Sequence, residues 1–223
     1  MSMIELKGVG RVFRTSEVET IALENVNISV EGGEFVAVMG PSGCGKSTLL
    51  NIMGLLDRPT EGEVILKGKP TGSLSDREAA AFRNRTVGFV FQSFHLIPSL
   101  NVLQNVEMPL LYCGMSEGKR HERARQLLEQ VGMSHRLRHL PSQLSGGQSQ
   151  RVAIARAMAC NPDVLLADEP TGNLDSHMST EIMQLLLNLN RQEGRTIVMV
   201  THNEEQARQA NRIIRFFDGR QVE

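Results

Sequence analysis

Two kinds of apolar pattern divide this chain. Short, nearly continuous apolar runs at residues 34–39, 87–91, 164–167, 196–200 and 213–217 predict strands buried on both faces, with shorter extended pieces at 4–6 and 63–66. Apolar positions three and four apart predict helices at 46–56, 102–111, 119–131, 148–160 and around 203–210. The order strand, glycine loop, helix, turn (57–62), strand opens the chain as an α/β protein. Between Gln92 and Cys160 three amphipathic helices follow one another without a strand, which reads as a helical lobe inserted into the α/β core. The whole, residues 1–223, is therefore expected to be a single domain, with its α/β core at about 1–91 and 162–223 and its lobe at about 92–161.

Composition narrows the function. Lys and Arg total 24 against 25 Asp and Glu, so no basic excess points to nucleic acid. The mixed run at 118–123 reads as a solvated helix face. No charged leader precedes an apolar stretch, and no apolar run approaches the ~18 residues that span a bilayer, so a cytoplasmic chain is expected. Cys44, Cys113 and Cys160 have no C-x-x-C spacing, which predicts reduced thiols, with neither a disulfide framework nor a zinc site. His135 and His139 stand four apart just before Pro141 and lack a third ligand, so they read as surface residues.

The chemistry lies at the ends of the predicted strands. Gly40-Pro41-Ser42-Gly43-Cys44-Gly45-Lys46-Ser47-Thr48 fits G-x-x-x-x-G-K-[ST] and runs straight out of the strand at 34–39. Its glycines let backbone amides face a phosphate, Lys46 reaches the β- and γ-phosphates, and the Ser47 hydroxyl can ligate magnesium. Far downstream, Leu144-Ser145-Gly146-Gly147-Gln148 offers a hydroxyl and a backbone bare enough to press on another phosphate. Asp168 and Glu169 close an apolar strand where carboxylates meet the crevice of an α/β sheet. There Asp168 would hold magnesium and Glu169 would polarise water, although an acidic pair at a strand end also serves as a plain turn.

Three further residues have two readings each. Gln92, after the strand at 87–91, could touch magnesium or the attacking water. His202, after the strand at 196–200, reads as a γ-phosphate contact or as a satisfied structural histidine. Phe13 is the aromatic left to stack on adenine once Phe35 is assigned to a buried strand, and a core role is its alternative. Phe82, Phe89, Phe91 and Phe94, with Leu96, Ile97, Leu100, Val102 and Leu103, make either a seam between lobe and core or an exposed apolar groove for a partner helix.

Taken together, these motifs resemble the nucleotide-binding subunit of ATP-binding cassette (ABC) transporters along essentially the whole chain. The phrases Leu55-Leu56-Asp57-Arg58-Pro59-Thr60, Pro141-Ser142-Gln143 and Thr171-Gly172-Asn173-Leu174-Asp175 look most like the lipoprotein-release, macrolide-efflux and cell-division ATPases. The resemblance implies a P-loop NTPase (RecA-like) core with an N-terminal antiparallel β region and the inserted α-helical lobe. It makes Phe13 the adenine contact, 40–48 the Walker A loop, Gln92 the Q-loop glutamine and Ser145, Gly146, Gly147 and Gln148 the signature. Asp168 becomes the Walker B aspartate, Glu169 the base, Asp175 the D-loop aspartate and His202 the switch histidine. It further implies magnesium-dependent hydrolysis of ATP by a homodimer whose signatures complete each other's P-loop sites. A separate integral membrane permease would dock a short helix beside Gln92 and hold the chain at the inner face of the membrane. Its alternatives are a cell-division-type ATPase signalling across the membrane and a non-transport ABC ATPase, though no coiled coil or second cassette accompanies the motifs.

Overall fold

The structure is a computed structural model describing residues 2–14 and 18–222; Met1, residues 15–17 and Glu223, part of the expected 1–223 span, lie outside the described residues. In chain order it comprises β1 (Ser2–Arg14), β2 (Glu19–Glu31), β3 (Phe35–Met39), α1 (Lys46–Met53), β4 (Glu61–Leu66), β5 (Lys69–Pro70), α2 (Asp76–Thr86) and β6 (Val87–Phe91). There follow α3 (Val102–Tyr112), α4 (Glu117–Gln130), α5 (Gly146–Ala157), β7 (Val164–Asp168), α6 (Ser176–Glu193), β8 (Thr196–Val200), α7 (Glu204–Ala207), β9 (Arg212–Phe217) and β10 (Arg220–Val222).

Two sheets form. A six-stranded sheet runs β10-β9-β3-β8-β7-β6 and is parallel except at its β10 edge. A four-stranded antiparallel sheet, β2-β1-β4-β5, supplies the N-terminal β region. The central strands are apolar without interruption because both of their faces are covered. Val36, Val38, Val164, Leu166, Val198 and Val200 face α1 and the antiparallel sheet, whereas Phe35, Ala37, Leu165, Ala167, Ile197 and Met199 face the helices. Val106, Leu128, Val152, Ile154 and Leu186 join that second core, so α3 to α6 pack on one face of the sheet. Each of the Val, Leu, Ile, Phe and Met side chains among them contributes about 1.5–3 kcal/mol when fully buried.

Several boundaries differ from expectation. α1 stops at Met53 rather than Leu56, because the backbone leaves the helical region at Gly54 (φ −91°, ψ 7°), where close packing against Phe89 admits only glycine. Leu55 then turns the chain with φ 58°. α5 starts two residues earlier than the pattern predicts, since Ser145 and Gln148 cap it reciprocally. α7 covers only part of the expected helix, and β2, β5, α2, α6 and β10 add to the expected elements. Among the described residues no helix is long and apolar enough to cross a membrane.

Candidate nucleotide-binding site

The carboxyl ends of β3, β7 and β8 open on one crevice of about 810 Å³. Open α/β sheets bind ligands at this edge. β3 delivers the glycine loop, whose last residue, Gly45, has φ 98° and lies where a Cβ would come within 2.3 Å of the Ala22 carbonyl oxygen. Only glycine fits that turn. α1 therefore begins at Lys46 without a side-chain cap, leaving its first amides to the crevice, where the helix dipole favours an anion. Lys46 is 8% exposed, and its Nζ donates to the carbonyls of Gly40 at 2.8 Å and Pro41 at 2.6 Å.

β7 ends at Asp168, in register with Phe91 on one side and Val200 on the other. Burial pushes the Asp168 carboxyl above the ordinary carboxylate range and the Glu169 charge adds to the rise; a hydrogen bond from Ser47 and the Lys46 charge oppose it. Glu169 adopts φ 47°, a left-handed conformation held by its N–H on the Val200 carbonyl at 3.0 Å and by the Gly172 N–H on its own carbonyl at 3.0 Å. Its carboxylate, 17% exposed, lies 2.9 Å from Nδ1 of His202, which is 72% exposed. A mostly buried carboxylate thus faces the crevice beside an exposed imidazole, an arrangement suited to orienting water and a charged phosphate.

Gln92 leaves β6 and lines the same crevice. Its Nε2 donates to Asn173 Oδ1 at 3.1 Å, and Asn173 Nδ2 donates to the Gln92 carbonyl at 3.0 Å, which couples the segment after β6 to the turn after Glu169. Phe13 stands at the outer wall, 42% exposed, with the Arg11 guanidinium 4.5 Å from its ring centroid. One ring face is thereby covered by a cation.

The crevice brings together Phe13, Ser42, Gly43, Gly45, Lys46, Ser47 and Thr48 with Gln92, Asp168, Glu169 and His202. Gly40 does not line it, and its carbonyl accepts from Lys46 Nζ instead. Cys44 is 5% exposed and packs in the core under the loop, so only its backbone is available to a ligand. Ser145, Gly146, Gly147 and Gln148 lie outside this crevice: Ser145 Oγ accepts from the Gln148 N–H at 3.2 Å and Gln148 Oε1 from the Ser145 N–H at 3.1 Å, at the exposed start of α5. Asp175 is also elsewhere, capping α6 by accepting from the Met178 N–H at 2.9 Å.

Two polar residues of α5 serve the site from behind. Gln150 is fully buried and donates to the Pro170 carbonyl, next to Glu169, at 2.6 Å. Arg156 donates to the carbonyls of Phe94 and His95, both left-handed at φ 58° and 48°. A polar residue in a helical pattern reads as outward-facing, so no sequence signal separates these two from solvated ones.

A second, more apolar groove of about 800 Å³ lies nearby, with Phe89, Phe91 and Tyr112 among its walls. Phe89 and Phe91 stack with centroids 5.6 Å apart, and Tyr112 is 75% exposed. The expected apolar cluster splits here. Phe94 and Leu100 do not line the groove: Phe94 reaches toward Gly146, 3.7 Å from the position of a Cβ there, and Val102 is fully buried in the core.

Comparison with known proteins agrees with this arrangement. A family profile described as ABC transporter matches residues 23–172. An uncharacterized ABC transporter ATP-binding protein of Methanocaldococcus jannaschii is 54% identical over 221 residues, covering 99% of this chain and 98% of that protein. The macrolide export ATP-binding/permease protein of Rhodopseudomonas palustris is 49% identical over 218 residues, covering 98% of this chain but 33% of its own length. Among solved structures, the ATP-binding cassette MJ0796, a dimer in a post-hydrolysis state bound to ADP and Pi, superposes with a TM-score of 0.92 at 48% identity, covering 99% of this chain and 97% of the other. This chain belongs to the ABC transporter family, and it is an ATP-hydrolysing cassette of the α/β P-loop class.

Proposed function

We propose that the chain is the motor subunit of an exporter, working as a homodimer on a separate membrane permease at the inner face of the membrane. The observation that carries this reading is the division of the phosphate-binding parts. Lys46, Ser47, Asp168, Glu169 and His202 share one crevice, whereas the Ser145–Gln148 segment lies outside it, with Ser145 exposed at the start of α5. A second copy, placed head to tail, would bring its signature to that crevice, and the dimeric cassette of similar structure supports such an arrangement.

In this reading the glycine loop and Lys46 hold the β- and γ-phosphates, and adenine stacks on the ring face of Phe13 opposite Arg11. Ser47 and Asp168 form a hard oxygen pair that fits magnesium, with Gln92 at its edge. Bound there, magnesium would neutralise phosphate charge. Glu169 orients and polarises the attacking water, and His202, braced on its carboxylate, contacts the γ-phosphate. Asp175 keeps α6 capped at the face where two copies meet, and Gln148 keeps Ser145 aimed outward.

The groove walled by Phe89, Phe91 and Tyr112 is the place for a permease helix, because it is apolar and begins where the Gln92 segment leaves β6. The test is purification of the tagged full-length chain from its native host in mild detergent. We expect a multi-span membrane protein in stoichiometric amount. Tyr112→Asp should cut its recovery at least about tenfold while ATPase activity of the free chain stays within about twofold of wild type, since a charge buried in such an interface costs a few kcal/mol. Recovery without any membrane protein, or full recovery with Tyr112→Asp, contradicts the docking. Capture of a cell-wall-acting complex without transport would favour the signalling alternative.

A further inference from the structure

Two of the three cysteines meet outside the nucleotide crevice. Cys113 is the C-terminal cap of α3 and Cys160 follows α5; they are 47 positions apart, with their sulfurs 2.7 Å from each other. Both are free thiols and both are partly exposed. The absence of C-x-x-C spacing in the sequence conceals a pair that only the fold assembles.

We propose that Cys113 and Cys160 form a reversible oxidative modification site, a dithiol that a low-molecular-weight disulfide of the glutathione class converts into an intramolecular disulfide. The surrounding hydrogen bonds assign distinct roles to the sulfurs. Cys113 Sγ accepts from Asn84 Nδ2 at 3.2 Å, whereas the Cys160 thiol is engaged in donating its own proton to the Pro109 carbonyl at 3.4 Å. Burial, with a hydrogen bond and the charge of Cys113, pushes Cys160 up to about 12, against the pull of Arg123 and Arg85. Cys113 is thus the first nucleophile and Cys160 the resolving thiol.

The Cys113 thiolate attacks one sulfur of oxidised glutathione; that disulfide breaks and one glutathione thiolate leaves, taking a proton from solvent. Cys160 then loses its proton to solvent, attacks the Cys113 sulfur and expels the second glutathione thiolate, which is protonated in turn. Two protein thiols are oxidised to one disulfide, and one glutathione disulfide is reduced to two thiols. Access is through a surface pocket that both cysteines line together with Lys119, Arg123 and Glu122, whose charges sum to a net positive rim for an anionic peptide disulfide. Cys160 also lines the groove beside Phe89 and Phe91, so the staple would fix the end of α3 to the end of α5 at its wall. Cys44, 5% exposed in the phosphate loop, has no neighbouring thiol and serves as an internal control.

The experiment equilibrates the full-length wild-type chain in graded mixtures of reduced and oxidised glutathione, quenches with acid and alkylates under denaturing conditions for mass spectrometry. The expected result is loss of two of the three alkylatable thiols, a peptide linking Cys113 to Cys160, no retained glutathione, and full reversal by reduced glutathione. With Cys160→Ser, glutathione should instead remain attached at Cys113. Three alkylatable thiols in the most oxidising mixture, a persistent glutathione adduct on the wild-type chain, or a linkage through Cys44 or a second chain would overturn the assignment. None of these readouts depends on a permease, so they stand apart from the docking of the groove.

Discussion

Asp168 carries the main electrostatic conflict of the crevice. Its carboxyl is raised above the unfolded-state value, chiefly by burial, so the ionised form costs the folded chain stability. Below the unfolded-state pKa both states are protonated and the cost is absent; it grows through the window up to the raised value and is complete above it. Asp168→Asn should therefore make the nucleotide-free protein more stable than wild type at neutral pH, with the difference shrinking as pH falls, while magnesium-dependent hydrolysis is lost. Thermal melts across that range check the sign, and a variant less stable than wild type at neutral pH would contradict it. This residue was legible in the sequence because charge directly after an apolar strand is conspicuous. Glu169 and His202 stand out for a similar reason at strand ends, whereas Lys46 was legible through the spacing of the glycine loop before it. Gln150 and Arg156 were not, because the carbonyls they serve belong to distant segments, at Pro170, Phe94 and His95.

At the scale of elements, Arg156 ties α5 to the loop after β6 with its guanidinium on two backbone carbonyls. Burial lowers its pKa, yet guanidinium keeps its charge, so the carbonyl dipoles are what compensate it. Arg156→Leu would leave both carbonyls without these donors at about 1–3 kcal/mol of stability and release the left-handed turn at Phe94 and His95. Urea unfolding should register that loss, whereas a change within about 0.5 kcal/mol would show that the clamp is dispensable. Elements buried on both faces or along one stripe were readable. α2 was not, since Thr86 is its only buried residue and no apolar stripe marks it. β2 alternates, but register shifts in its pairing with β1 break the period. α6 does carry the helical signal, in its Asp175 cap and in Ile182, Met183, Leu186 and Leu187, though neighbouring strand and turn motifs dominate the reading there.

At the scale of the molecule, the sequence contains both phosphate-binding segments but says nothing of the distance between them within a chain. Ser145–Gln148 do not line the crevice of their own chain, and in the proposed reading a second copy would supply them. In the proposed roles Glu169→Gln would keep the phosphate contacts and remove the base, so turnover should fall about 10²- to 10⁴-fold and the ATP-bound dimer should persist. Ser145→Asp offers the complementary change: aspartate still caps α5, while its charge opposes a phosphate presented by another copy. Equilibrium sedimentation of Glu169→Gln with ATP and magnesium, alone and combined with Ser145→Asp, tests the central claim. The account predicts a dimer for the single variant, and for the double variant a monomer that still binds ATP with near wild-type affinity; a monomeric single variant, or a double variant that dimerises equally well, would contradict it.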